Sequence, residues 1–176
     1  MKKTLNSKLL ALSSSNGLTL SPKSGFTLVE MILYMALVTI FTLTLTDIFV
    51  AILDVKTESE ATSAVEQDGR FILARLAYDI NRATTITNPA NLGDSTSSMT
   101  ITVSVNTYNY SLNSGNLQIN SDNLNSSETT ISNLQFTKMG NIGGKETISV
   151  QFTVTSKTQR PSGPEIRNFN TTIGRR

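Results

Sequence analysis

Residues 26–53 read FTLVEMILYMALVTIFTLTLTDIFVAIL, and this apolar stretch decides the fold. It contains only two charged residues, Glu30 and Asp47. As an α-helix it would be about 42 Å long at 1.5 Å per residue, which is enough to cross a bilayer with some tilt. The alternative is a buried helix of a soluble protein, but the rest of the chain predicts no set of helices large enough to cover it on all sides. We therefore expect a transmembrane helix over residues 26–53.

The two flanks of this helix differ in charge. Residues 1–25 form a polar leader without acidic residues, and its basic residues are Lys2, Lys3, Lys8 and Lys23. Beyond the middle of the helix, residues 47–68 carry six acidic residues and one basic residue, Lys56. Because basic flanks stay on the cytoplasmic side, we expect a single-pass membrane protein with its N-terminus in the cytoplasm and its C-terminal region outside.

An amphipathic pattern extends the helix over residues 54–86. Apolar residues at helical spacing form one face, which consists of Ala61, Val65, Ile72, Leu76, Ile80 and Ala83. The charged residues mostly lie off this face and are expected to be solvated: Glu58, Glu60, Glu66, Asp68, Arg75 and Arg82. Gly69 lowers the helix propensity and is interpreted as the site of a bend. The β-branched residues that follow, and then Pro89, end the helix.

Residues 87–176 alternate apolar and polar residues, which is typical of half-buried strands. The clearest strand faces consist of Met99, Ile101, Val103 and Val105, and of Ile148, Val150, Phe152 and Val154. Further strands are predicted within residues 108–112, 117–119, 131–136 and 166–173. Because each strand has one apolar face, we predict an α+β fold in which an antiparallel sheet packs on the amphipathic half of the helix.

The composition excludes much of enzyme chemistry. The chain has no His, Cys or Trp, so it lacks a Cys nucleophile, a His base, a Ser-His-Asp triad, a His- or Cys-bound zinc and a disulfide. We expect no enzyme, no catalytic residue, no cofactor and no metal. Residues 120–128 are faintly similar to a calcium loop but lack the glycine that its turn requires. Without residues 1–25 the chain is slightly acidic and has no basic stripe, so no nucleic-acid partner is predicted.

The junction Gly25-Phe26-Thr27-Leu28-Val29-Glu30 resembles the processing signature of type IV pilins and of the pseudopilins of type II secretion. The resemblance covers residues 23–53 closely, and the helix-then-sheet plan covers the remainder in outline. It implies that a prepilin peptidase cuts between Gly25 and Phe26 and methylates the new Phe26 amine. It also implies assembly with other pilin or pseudopilin subunits on an inner-membrane platform.

Physical arguments explain why Gly and Glu occur at positions 25 and 30 of this junction. Gly25 has no side chain, so a protease can draw its backbone into a narrow cleft. Glu30 is the only charge near the new terminus, and its predicted partner is the Phe26 ammonium of its own or a neighbouring subunit. The alternative is that Glu30 lies at the headgroup level and is solvated.

Several functions remain open within and outside this family. The strand-rich C-terminal region and the lack of a disulfide favour a minor pilin of a type IV pilus or related filament. The alternative within the family is a minor pseudopilin of a type II secretion or competence system. The chain is also similar to the J-type minor pseudopilins. A different class is a signal-anchored surface protein whose external domain binds a ligand, and this protein would keep its leader.

Overall fold

A computed structural model describes residues 25–176, so the lysines of the predicted leader lie outside the described residues: Lys2, Lys3, Lys8 and Lys23. The chain divides into two compact units between Thr44 and Leu45. One helix, α1, runs from Leu28 to Arg82. Up to Thr44 its large apolar side chains are all exposed, for example Phe41.

The predicted apolar face of the second half of α1 is confirmed. All six of its residues are buried: Ala61, Val65, Ile72, Leu76, Ile80 and Ala83. The helix ends at Arg82, earlier than residue 86, because the β-branched residues that follow favour a strand.

Nine strands follow the helix. They are β1 (Thr85–Asn88), β2 (Ser95–Thr96), β3 (Met99–Val103), β4 (Asn106–Asn113), β5 (Asn116–Ile119), β6 (Asp122–Asn123), β7 (Thr129–Met139), β8 (Thr147–Ser156) and β9 (Ile166–Gly174). They form two antiparallel sheets, a first sheet in the order β1-β3-β4-β5-β6 and a second in the order β2-β7-β8-β9.

The α+β prediction is confirmed, with two sheets in place of the single sheet that we predicted. Helix residues Ile72, Leu76 and Ile80 share one hydrophobic core with apolar residues of both sheets. The first sheet contributes Met99, Ile101, Tyr110, Leu117 and Ile119, and the second contributes Phe136, Ile148, Val150, Phe152 and Val154. Alternation shows which face of a strand is buried, but it does not show which strands are neighbours, and so it did not separate the sheets.

The prediction that Val105 continues a buried strand face is wrong. Strand β3 ends at Val103, which pairs with Asn106 of β4, so Ser104 and Val105 form a two-residue turn. Ser104 has a φ of 59°, and Val105 at the tip of the turn is 89% exposed.

The glycine at position 69 has a structural reason other than the predicted bend. Helix α1 continues through this residue without a break, and the ring of Phe169 lies directly over it. A Cβ atom added at Gly69 would lie 2.1 Å from Cζ of Phe169. Glycine is therefore needed here because strand β9 approaches the helix closely.

Candidate functional site

Gly25 and Phe26 directly precede α1 and have no regular secondary structure. Phe26 is 70% exposed, and a Cβ atom added at Gly25 would meet no heavy atom of the described residues within 4 Å. The folding of the described residues therefore does not require glycine at this position.

Thr27 caps the start of the helix. The backbone N–H of Glu30 donates to Oγ1 of Thr27 at 3.2 Å, and the N–H of Met31 donates to the Thr27 carbonyl at 3.1 Å. A Thr followed three residues later by Glu is the spacing of a capping box, a signal that was present in the sequence and that we missed. In the first turn Glu30 also interacts favourably with the helix dipole.

The side chain of Glu30 lies on one helix face with two aromatic rings. The hydroxyl of Tyr34 donates to Oε1 of Glu30 at 3.1 Å. The rings of Phe26 and Tyr34 meet edge to face, with centroids 6.1 Å apart and planes at 80°. Sequence reasoning placed Glu30 next to Phe26 but did not identify Tyr34, although Phe26, Glu30 and Tyr34 are spaced by four residues.

Among residues 25–176, α1 is the one helix long and apolar enough to cross a membrane, and its most apolar window is entirely exposed. Three threonines within this stretch satisfy their hydroxyls inside the helix. Thr39, Thr42 and Thr44 donate to the carbonyls of Met35, Val38 and Phe41 at 2.7, 2.8 and 2.9 Å, respectively. Because of these internal hydrogen bonds, the hydroxyl donors of the three threonines are satisfied within the apolar stretch.

Asp68 is buried, so the prediction that it is solvated is wrong. Its Oδ2 atom accepts hydrogen bonds from the backbone N–H of Ser126 at 2.9 Å, from Oγ of Ser126 at 2.8 Å and from Oγ1 of Thr129 at 2.5 Å. The carboxylate therefore ties the helix to the start of β7 in the second sheet. Helical spacing alone could not show that Ser126 and Thr129 would donate three hydrogen bonds at this position.

A second buried carboxylate, that of Asp79, ties the helix to the first sheet. Its Oδ2 accepts from Nε of Arg75 at 2.8 Å and from the hydroxyl of Tyr110 in β4. Burial, together with the hydrogen bond to Asp79, raises the pKa of Tyr110 above its ordinary value. Tyr110 therefore stays protonated as a hydrogen-bond donor, and this cluster has a structural role.

An ionic network joins the connection between β8 and β9 to the helix. Arg160 contacts Glu58 of the helix and lies 3.1 Å from Oε2 of Glu165. Arg167 contacts Glu66 of the helix and donates from Nε to Oε1 of Glu165 at 3.0 Å. The hydrogen bond from Arg167 holds the pKa of Glu165 below its ordinary value.

No group of three or more acidic side chains that could hold a metal ion occurs among residues 25–176. In the segment that is similar to a calcium loop, Oδ1 of Asn120 accepts from the N–H of Asn109 at 2.8 Å. Oδ1 of Asn125 accepts from the N–H of Leu117 at 2.9 Å. Both oxygens are therefore hydrogen-bonded to backbone N–H groups of the first sheet.

Comparison of the chain with protein-family models, with curated proteins and with solved structures found no match.

Proposed function

We propose that this chain is a minor pilin-like structural subunit of a type IV pilus or related filament. A prepilin peptidase removes residues 1–25, and the new N-terminal helix carries the subunit from the membrane into the filament. The C-terminal β-domain is then displayed outside the cell.

The single observation that carries this proposal is the junction at Gly25. Glycine there separates a basic leader from an apolar helix, yet an added Cβ would have no heavy atom of residues 25–176 within 4 Å. Since the fold of these residues does not require glycine at this position, we explain the glycine by an outside partner that needs close access to the backbone. A peptidase with a narrow cleft at the membrane surface is such a partner.

The position of Glu30 supports assembly through the helix. Inserting a carboxylate at the centre of a bilayer raises the insertion free energy by about 2.5–3.5 kcal/mol. Glu30 is therefore expected to stay near the headgroups before the subunit is assembled. Cleavage creates a positively charged amine on Phe26, one helical turn away. In a filament the carboxylate is then able to pair with the Phe26 ammonium of an adjacent subunit, which selects one axial register.

The proposal is tested by the mass and N-terminal sequence of the mature protein in cells that have an active prepilin peptidase. The expected chain begins at Phe26 and carries one N-methyl group. Gly25→Leu should block cleavage, because its side chain occupies the space next to the scissile bond. Ser24→Leu is the matched control, which adds the same side chain one residue earlier and should still be cut.

The same experiment separates the proposal from a signal-anchored surface protein. An anchored protein would keep all four leader lysines and would be found only in the membrane fraction. A wild-type chain that still begins at Met1 would therefore contradict the filament proposal.

A further inference from the structure

The second sheet has an outer face that carries no charged side chain. In the register of β7, β8 and β9, apolar residues alternate inward to the core, and the residues between them point outward. The central part of this outer face consists of Ser132, Gln135, Thr137, Ser149, Gln151, Thr153, Asn168, Asn170 and Thr172. The charged residues Lys138 and Arg167 pair with the buried Ile148 and Val154, so they belong to the inner face.

The middle row of this face is a line of three primary amides. Gln135 pairs with Gln151, and Gln151 pairs with Asn170, so the three side chains lie side by side across three strands. With strands about 4.8 Å apart, the row spans about 10 Å. All three side chains are exposed, and none of them hydrogen-bonds to another residue in the part of the chain that the structure describes.

A hollow of about 360 Å³ adjoins this row. It is lined by Gln135 and Gln151 on one side and by the β2 segment of residues 95–97 on the other. Beside it, the regular pairing of β7 with β8 is interrupted between Ser132 and Gln135, where Asn133 has a φ of 52°. This volume lies in the lower part of the range of small-ligand sites, which is roughly 300–1,000 Å³.

The first sheet also has polar side chains on its surface, but the amides of Gln118 and Asn120 already form hydrogen bonds. Nε2 of Gln118 donates to Oδ1 of Asn123 at 2.9 Å, and its Oε1 accepts from Asn113 at 3.4 Å. The side-chain amide of Asn120 likewise bonds to two backbone groups of β4. Free amides in a row are therefore a property of the second sheet and do not simply follow from an Asn-rich composition.

We propose that the outer face of the second sheet binds a neutral glycan chain through Gln135, Gln151 and Asn170. Each primary amide offers both donors and an acceptor, which matches sugar hydroxyls that also donate and accept. The lack of charge gives no attraction to phosphates or acidic polymers, and the lack of aromatic or large apolar side chains in the row gives none to lipid. A row of amides beside a hollow fits an extended chain with one sugar unit in the hollow.

The experiment uses the full-length protein in detergent micelles and measures its binding to cellulose, chitin and cross-linked dextran beads, with heparin beads as the charged comparison. We expect saturable binding to at least one neutral matrix and weaker binding to heparin. Gln135→Met and Gln151→Met keep the length of the side chain but remove its amide. Each should raise the apparent Kd about fivefold, the factor for one neutral hydrogen bond.

Gln118→Met is the matched control, because it removes an amide from the surface of the first sheet, and it should leave the Kd unchanged. The proposal is overturned if no neutral matrix binds more protein than empty beads. It is also overturned if the Gln135 and Gln151 variants bind like the wild type or if heparin binds more tightly. The inference goes beyond the proposed function, since none of these results alters whether the chain is cut between Gly25 and Phe26.

Discussion

Gly69→Ala should destabilise the β-domain even though alanine is the better helix former. The substitution adds a Cβ atom at 2.1, 2.4 and 2.5 Å from three ring carbons of Phe169. Ordinary van der Waals contact begins at 3.4 Å, so the ring would have to retreat by more than 1 Å. It is held in place by a stacked contact with the fully buried Phe152, whose ring centroid lies 5.5 Å away.

The magnitude follows from three opposing contributions. Adding a methyl group to a packed contact costs about 1–3 kcal/mol. Loss of the aromatic stacking between Phe152 and Phe169 would add about 0.5–1.5 kcal/mol. The gain in helix propensity from Gly to Ala offsets roughly 1 kcal/mol of this. The free energy of unfolding should therefore fall by about 0.5–3.5 kcal/mol.

The assay is urea unfolding of a soluble fragment of residues 56–176, followed by circular dichroism. The same substitution is then made in a Phe169→Ala background, where the steric conflict is gone and the propensity gain remains. In that background Gly69→Ala should stabilise the fragment by up to about 1 kcal/mol. If Gly69→Ala destabilises both backgrounds equally, the close contact with Phe169 is not the reason for the glycine.

Four further predictions concern the core, the buried carboxylate, the ionic network and assembly. Leu76→Ala should lower the free energy of unfolding of the same fragment by about 2–5 kcal/mol, because Leu76 is fully buried, and an unchanged urea midpoint would contradict its place in the core. Asp68→Ala should cost about 3–5 kcal/mol, since it leaves three donors of Ser126 and Thr129 without their acceptor, whereas a loss below about 1 kcal/mol would show that water replaces the carboxylate. The folded-state pKa of Glu165 is lowered, so its stabilising contribution is present above the ordinary value of 4.5 and is lost as the pH falls below it. Glu165→Gln should therefore unfold with a weaker pH dependence in this acidic range, and an identical dependence would refute the role of the Arg167 hydrogen bond. Glu30→Leu should preserve membrane insertion, cleavage and the β-domain but lower incorporation into sheared filaments, and equal incorporation would mean that Glu30 is only an interfacial, solvated residue.

Local patterns were sufficient for the elements of this fold. The apolar stretch of residues 26–53, the buried helical face and the period-two strands each depend on residues that are close in sequence. Their spacing therefore predicted the long helix and the α+β class directly. The capping box of Thr27 and Glu30 was equally local, and attention to helix starts would have found it.

Such local patterns could not identify the hydrogen-bond partners of polar residues. Asp68 has the sequence pattern of a solvated helix residue, yet its carboxylate accepts hydrogen bonds from Ser126 and from Thr129 at the start of β7. Gly69 is similar, because the ring that covers it belongs to a strand 100 positions later in the chain. Neither contact can be predicted from the neighbouring residues, since burial depends on segments that are distant in sequence and come close only in the folded chain.

The sequence by itself determined that the chain has an apolar helix long enough for a membrane, four lysines and no acidic residue before Gly25, and a strand-rich region after the helix. Only the tertiary structure decided that the strands form two sheets and that Gln135, Gln151 and Asn170 come to lie in one row. The physical reason is that a helix is specified by neighbouring residues, through its hydrogen bonds and its hydrophobic period. A sheet is instead specified by pairings between distant segments, and alternation within a strand contains no information about which segment pairs with it.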